Sequence, residues 1–180
     1  MFQFGYELRG SSSAGLLAVD GLAQPLQAIM LAKDAIKYTD VLTIYTNDNS
    51  ELATQLATQL AASPTIGAMS VDDRKILRFS EGTRASRSPR VIITFANGTE
   101  TMEDFIHHRP LTRVANRFID QLGLVVTPTG DIEAPLPFCR TNVSGVFAAG
   151  DCASVMKIIP NAIATGAYAG CGMSRELVKK

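Results

Sequence analysis

The sequence predicts an α/β fold: a small parallel sheet with an antiparallel hairpin layer inserted into it. Three observations carry that prediction. Apolar, β-branched runs alternate with stretches of helical periodicity over residues 14–62, the order that builds a parallel sheet through crossover helices. Asn97-Gly98 lies between two short β-prone runs and marks a hairpin turn. A late apolar run, Val146 to Ala149, leads through Gly150-Asp151 into a closing stretch with helical spacing.

Each element follows from local composition. Residues 14–19, AGLLAV, read as a buried strand broken by Asp20-Gly21. From Leu22 to about Tyr38, Leu22, Leu26, Ile29, Met30 and Ile36 recur near helical spacing, and Pro25 suits the first turn of that helix. Residues 41–46, VLTIYT, are β-branched and aromatic, hence a second strand. A turn over Asn47–Ser50 follows, with Ser50 as cap of a helix over residues 51–62. Residues 66–71, 75–80 and 90–96 read as short strands, 81–89 as a polar loop, and 99–107 as the returning strand of the hairpin. Residues 112–122 read as helix, TPTGDIE as a turn into a short strand, 144–149 as a strand and 160–178 as the closing helix. The expected division is residues 1–108 and 109–180, packed as one unit.

Bulk properties remove several function classes. Of 180 residues 46% are apolar, enough for a sizeable core. Seventeen basic residues balance seventeen acidic ones, which gives no electrostatic case for nucleic acid or an anionic membrane as partner. No apolar run is long enough to span a bilayer and no signal pattern opens the sequence. Cys139, Cys152 and Cys171 are widely spaced and make neither a Cys-x-x-Cys pair nor a metal cluster, so small core residues of a reduced, cytoplasmic protein without a metal are expected.

The stretch TNVSGVFAAGDCAS, residues 141–154, has a physical logic. A buried parallel strand would end at Gly150, where the backbone can pass close to a ligand. Asp151 then stands beyond the strand's C-terminal end, where open α/β sheets bind ligands. This stretch resembles the flavin-contacting turn of the flavoprotein disulfide reductases. FGYELRGSSSAGLLAV, VLTIYTNDNSEL, the FANGT hairpin, FIHHRP and QLGLVVTPTGDI resemble the C-terminal part of fungal thioredoxin-reductase-like proteins, the group that forms disulfides in gliotoxin-type metabolites. The resemblance covers essentially the whole chain. It implies a Rossmann-like nicotinamide-type domain, degenerate here, followed by the remnant C-terminal strand and helix of a flavin domain.

The departures from that family carry as much information. The family's G-x-G-x-x-G turn, which holds the flavin pyrophosphate at a helix N-terminus, has no counterpart in this sequence. Where the resemblance implies a second redox cysteine and a following His, Gln3 and Phe4 stand, and neither exchanges a disulfide or shuttles a proton. The first strand runs into AVDGLAQ with a single glycine, so Asp20 sits where a pyrophosphate needs N–H donors. YTNDNSE after the second strand offers no Arg or Lys for a 2′-phosphate. No bound cofactor is expected, and Gly150 and Asp151 are read as vestiges of a cofactor site.

Candidate site residues follow from what remains. Asp151, His107 and His108 are the candidate catalytic groups: Asp151 from its place beyond a strand end, the histidines from a side chain poised near neutrality. The alternatives are a helix-capping Asp151 and one surface and one packed His. Phe2, Phe4, Tyr6, Met156 and Lys157 are candidate substrate contacts around the old cofactor cleft, against packing for the apolar ones and solvated ends for Tyr6 and Lys157. The expected function is a cofactor-independent enzyme of isomerase or cyclase type, acting on a small hydrophobic metabolite through shape and positioned hydrogen-bond donors. A non-catalytic binding module and one subunit of a split flavin-dependent oxidoreductase are the alternatives. Apolar surface on the C-terminal strand and helix predicts a homodimer or a rearranged packing.

Overall fold

The computed structural model describes residues 8–62, 68–84, 89–114 and 117–178. The chain divides into two compact units, Met1–Leu111 and Thr112–Lys180.

In the first unit β1 (Ser11–Leu17), α1 (Pro25–Ala35), β2 (Thr39–Tyr45), α2 (Ser50–Ala61) and β3 (Ala68–Asp72) alternate as expected. The hairpin layer follows as β4 (Ile76–Arg84), β5 (Pro89–Phe95) and β6 (Glu100–Glu103), and the chain then enters β7 (Phe105–His107). The parallel sheet has the order β3-β2-β1-β7; the antiparallel one has the order β4-β5-β6. β1 lies between two parallel neighbours, which is why Ala14, Gly15 and Leu16 form a continuous buried run instead of an alternating one. A side chain at Gly15 would collide with Ile106 Cδ1 and come within 2.7 Å of Tyr45 Cε2, so both neighbours would have to shift to admit one. α1 meets the core through Ala28, Ala32 and Ala35, small residues on one face that let the helix sit close to the sheet. α2 contributes Leu52 and Leu56 to the same core, with Leu16, Leu42 and Ile44 from the sheet.

Several expected elements are changed. Asn49, not Ser50, caps α2, its side chain accepting from Leu52 N–H at 3.0 Å. β4 extends to Arg84, into the stretch expected to be loop. The hairpin turn at Asn97-Gly98 is present, with Gly98 at φ 83°, but the returning run divides. β6 pairs with β5, and after Asp104 the chain crosses into the parallel sheet as β7 beside β1. Asp104 explains the switch: its Oδ2 accepts from Ser12 N–H at 2.7 Å and Ser12 Oγ at 3.0 Å, and Arg90 pairs with Oδ1 at 2.8 Å. Burial alone would raise the Asp104 carboxyl; the Ser12 hydrogen bonds outweigh it and hold it below its usual range.

The second unit carries α3 (Phe118–Leu122), closed by Gly123 in the left-handed region at φ 62°, and α4 (Ile159–Leu177). Of the helix expected over 112–122, the described residues show the last turn and a half. The strand expected at 144–149 is absent: Phe147 makes a single antiparallel bridge with Arg140, and a 3₁₀ turn over Gly150–Ala153 follows. TPTGDIE contributes one bridge, Val126 to Ile132. Thr141 explains the first change, since its hydroxyl donates to Val146 O at 2.9 Å and accepts from Val143 N–H at 3.1 Å, folding the chain back where a strand would extend. No helix among the described residues is long and apolar enough to cross a membrane.

Candidate functional site

The C-terminal edge of the parallel sheet is where an open α/β sheet takes a ligand. In the first unit that edge is built from the residues after β1, β2, β3 and β7. After β1 the chain turns through Asp20, an exposed residue at φ 52°, into a 3₁₀ turn over Asp20–Leu22. α1 then opens with Pro25, which has no N–H to offer. After β2, Asn47 and Asp48 adopt left-handed φ of 50° and 72°. Asn47 Oδ1 accepts from Ile76 N–H at 2.8 Å, and Asp48 lies 3.9 Å from Lys75. Ser50 Oγ donates to Asp73 at 3.0 Å. After β3, Arg74 donates to both carboxylate oxygens of Asp72 and stacks over the Phe95 ring at 3.8 Å.

His107 ends β7, half-buried, and His108 follows with Nδ1 3.2 Å from Leu17 O. Burial pushes the His107 imidazole down to about 4, so it is neutral near pH 7. Behind this edge Tyr45 donates to Glu103 at 2.5 Å in a buried pair. Burial, and then the Glu103 hydrogen bond, raise the Tyr45 phenol far above its ordinary value. Among the described residues, Glu103 Oε2 and the Thr46 hydroxyl are buried without a hydrogen-bond partner.

In the second unit the polar centre is a clasp around Lys157. Its ammonium donates to Asp131 Oδ1 at 2.6 Å, Asp151 O at 2.5 Å and Ser154 O at 2.9 Å, which uses all three donors. Asp131 is 4% exposed; its other oxygen accepts from Thr129 Oγ1 at 2.8 Å, and Lys157's hydrogen bond holds the carboxyl below its usual range. Gly150, at φ 75°, donates its N–H to Thr165 Oγ1 at 2.9 Å.

Residues 109–166 match the family described as pyridine nucleotide-disulphide oxidoreductase. The chain is 36% identical to a thioredoxin reductase of Gibberella zeae over 178 residues, covering 98% of this chain and 51% of that protein. It is 36% identical to the thioredoxin reductase tcpT of Claviceps purpurea, over 97% of this chain and 52% of that one. The chain is thioredoxin-reductase-like. It spans about half the length of the curated relatives it matches. Among solved structures, HlmI superposes with a TM-score of 0.71 at 18% identity, over 97% of this chain and 50% of that one. A thioredoxin reductase, TrxB, from Bacillus anthracis gives 0.69 at 19%, over 97% and 54%. At these identities the likeness to the solved structures is one of fold.

For a thioredoxin-reductase-like chain, the first test is whether its residues fit a dinucleotide. At the edge of the parallel sheet they do not. The turn that would face a pyrophosphate presents the Asp20 carboxylate and a helix opened by Pro25. Arg74 and Lys75, the cations that follow β3, are paired with Asp72 and Asp48. In the second unit the glycine turn keeps its left-handed backbone, but the Gly150 N–H is taken by Thr165.

The sequence-derived site residues are distributed as follows. His107 and His108 belong to the first unit and Asp151 to the second. Asp151 is exposed and caps no helix by a side-chain bond; its main-chain oxygen serves Lys157. Lys157 is neither a solvated end nor a free cation, since the clasp takes its donors. Met156 is 58% exposed. Phe2, Phe4 and Tyr6 lie outside the described residues. Of the cysteines, Cys139 is buried, Cys152 is half-buried and donates to Ala149 O at 3.2 Å, and Cys171 is exposed on α4, which corrects the expectation of three core thiols. Asp131, Glu103 and Tyr45 were not among the sequence candidates. The TPTGD turn hints that Asp131 bonds its own loop, but nothing local in sequence announces a partner at Lys157 or links Tyr45 to Glu103.

Proposed function

We propose that this thioredoxin-reductase-like chain is a cofactor-independent, non-redox catalyst of isomerase or cyclase type for a small hydrophobic metabolite, with its site at the C-terminal edge of the parallel sheet. The observation that supports it most is the combination at that edge: an acidic, proline-opened turn where a pyrophosphate would need donors, beside a neutral, half-buried His107. A neutral imidazole donates and accepts hydrogen bonds at once, the property needed to move a proton within one substrate or to polarise a carbonyl. Orientation of the bound substrate supplies the rest of the acceleration. His108, with Nδ1 facing Leu17 O, is held in a fixed orientation next to it. The metabolite class comes from the resemblance to fungal proteins acting on gliotoxin-type compounds.

The test is a comparison of metabolite profiles from the source organism with and without this chain, followed by incubation of the accumulated compound with purified protein. An isomer of unchanged mass, formed without added flavin or nicotinamide, supports the proposal. A product two hydrogens lighter or heavier, or turnover only after flavin is supplied with a second chain, replaces it with the split-oxidoreductase reading.

A further inference from the structure

His108 stands where the chain leaves the parallel sheet. β7 pairs with β1 as far as His107 opposite Leu16, and Pro110, which has no N–H to offer a strand, ends the run just beyond His108. The next carbonyl of β1, Leu17 O, meets the His108 side chain instead, with Nδ1 at 3.2 Å. A carbonyl oxygen only accepts, so Nδ1 carries the hydrogen of this bond. The uncharged ring then has its lone pair on Nε2. Among the described residues that nitrogen has no hydrogen-bond partner, and the ring is half-buried.

The surroundings select what this lone pair can take. The turn after β1 and the segment after β7 lie side by side: a Cβ at Gly21 would stand 3.8 Å from Leu111 Cδ2, and Leu111 is 74% exposed. That leucine is an apolar contact for a ligand at the end of β7. Asp20, in the same turn as Gly21, adds an exposed carboxylate, which repels an anion. An uncharged, partly apolar ligand is therefore favoured over a carboxylate or a phosphate. His107 competes poorly for a proton, because burial pushes its imidazole down to about 4.

We propose that Nε2 of His108 is the proton acceptor of this edge, held in the accepting tautomer by the Leu17 carbonyl, and that its substrate is an uncharged, enolisable carbonyl compound with a carbon–carbon double bond next to the acidic C–H. The assignment rests on the reading of this edge as the site of a proton-moving catalyst. Nε2 takes the proton from the carbon beside the carbonyl. The C–H electron pair becomes a new carbon–carbon double bond, and the carbonyl π pair moves onto oxygen. The dienolate recovers the proton from the Nε2–H at the far end of the original double bond, and the carbonyl reforms. Nε2 is bare again, the mass is unchanged, and nothing is oxidised or reduced. Leu17 touches no reacting atom; its carbonyl is a positioning group that fixes the tautomer and the orientation of the ring.

Nuclear magnetic resonance of the full chain with isotopically labelled histidine reads the tautomer directly. At a pH where the ring is uncharged, His108 is expected to show its hydrogen on Nδ1 and a bare Nε2. The ligand probe is para-nitrophenol, whose O–H resembles that of an enol. Its addition is expected to shift the Nε2 signal and to leave Nδ1 protonated. His108→Asn keeps an N–H for Leu17 O and is expected to stay folded by circular dichroism, but it lacks Nε2, so the phenol binds about tenfold more weakly. A hydrogen on Nε2 of the free chain, or phenol binding unchanged in His108→Asn, overturns the proposal. The catalytic reading of the edge fails separately. A chain that forms no isomer from any metabolite, yet seats the phenol on Nε2, loses the catalysis and keeps His108 as the acceptor. An isomer formed at full rate by His108→Asn keeps the catalysis and overturns the part given to His108.

Discussion

Leu16, Leu42 and Ile44 of the first unit are fully shielded from solvent, whereas Leu136, Ile163 and Leu177 of the second are 65–75% exposed. The first unit gathers its apolar side chains between the parallel sheet and α1 and α2, and a smaller group, Tyr45, Ile93 and Phe95, forms a second core with the hairpin layer. Among the described residues, the second unit buries only Ile132, Cys139, Ala148 and Ala169 of its apolar side chains. Its order comes from polar ties instead: Lys157 to Asp131, Thr165 to Gly150, and Asn142 to the backbone at Gly123 and Val125. Each such bond contributes about 1 kcal/mol net, against about 2–3 kcal/mol for a buried leucine. The first unit is therefore held mainly by the hydrophobic effect and the second by a polar clasp that leaves apolar side chains exposed.

The largest effect expected is in the first core. Leu42→Ala removes a fully buried side chain and is expected to cost about 3 kcal/mol. Hydrogen exchange should show faster amides in β1, β2 and β7, with those of α4 unchanged. Equal loosening of α4 would mean that the two units unfold as one, and the contrast between them would fail.

Lys157→Met comes next, at about 2–3 kcal/mol, because it leaves the Asp131 carboxylate buried without its cation. The loss is expected in the amides of residues 127–133 and 150–154 and not in the sheet. The sign with pH follows from the lowered Asp131 value. Its stabilisation is complete above the ordinary carboxylate range and fades as pH falls through the lowered folded value. Wild type thus loses more melting temperature on acidification than the variant. Parallel acid profiles for the two proteins would remove the clasp from the account.

The same division separates what was legible in sequence from what was not. β1, α1, β2 and α2 follow from hydrophobic period because their cores are local in pattern, and each has a face to hide. The Asn49 cap shifts the expectation by one residue, since Asn and Ser are both good caps and stand side by side. The split of residues 99–107 into two sheets depends on Asp104 reaching Ser12, more than ninety residues earlier in sequence, and no local pattern encodes that. Val146 to Ala149 has strand composition but, among the described residues of its unit, no neighbouring strand to pair with, so composition alone misleads. His107 was legible as a residue type; its neutrality comes from burial, which is a tertiary property.

His107 gives a smaller, pH-dependent effect confined to the first unit. In the folded chain it titrates near 4, against an ordinary value of 6.5. The unfolded chain therefore binds the proton first as pH falls. Stability is complete above about pH 6.5 and declines toward pH 4. With a half-buried ring, screening reduces the effect to about 1–2 kcal/mol. His107→Gln flattens that window in urea titrations, while His108→Gln is the control that retains it. An unchanged slope in His107→Gln would assign the window to another group.

The smallest effect has the opposite sign and lies on α4. Gly172 is packed so closely that an added Cβ would come within 2.7 Å of Phe147 Cε1 and 2.9 Å of Phe138 Cβ, whereas at Gly166 it would meet nothing within 4 Å. Gly166→Ala therefore removes chain entropy from the unfolded state without strain in the folded one, a gain of about 0.5–1 kcal/mol. Urea unfolding of the variant should show that gain, while Gly172→Ala, with Phe147 and Phe138 in the way, should lose stability. A Gly166→Ala protein no more stable than the wild type would show that the two glycines of α4 do not differ in the space around them, and the contrast within the helix would fail.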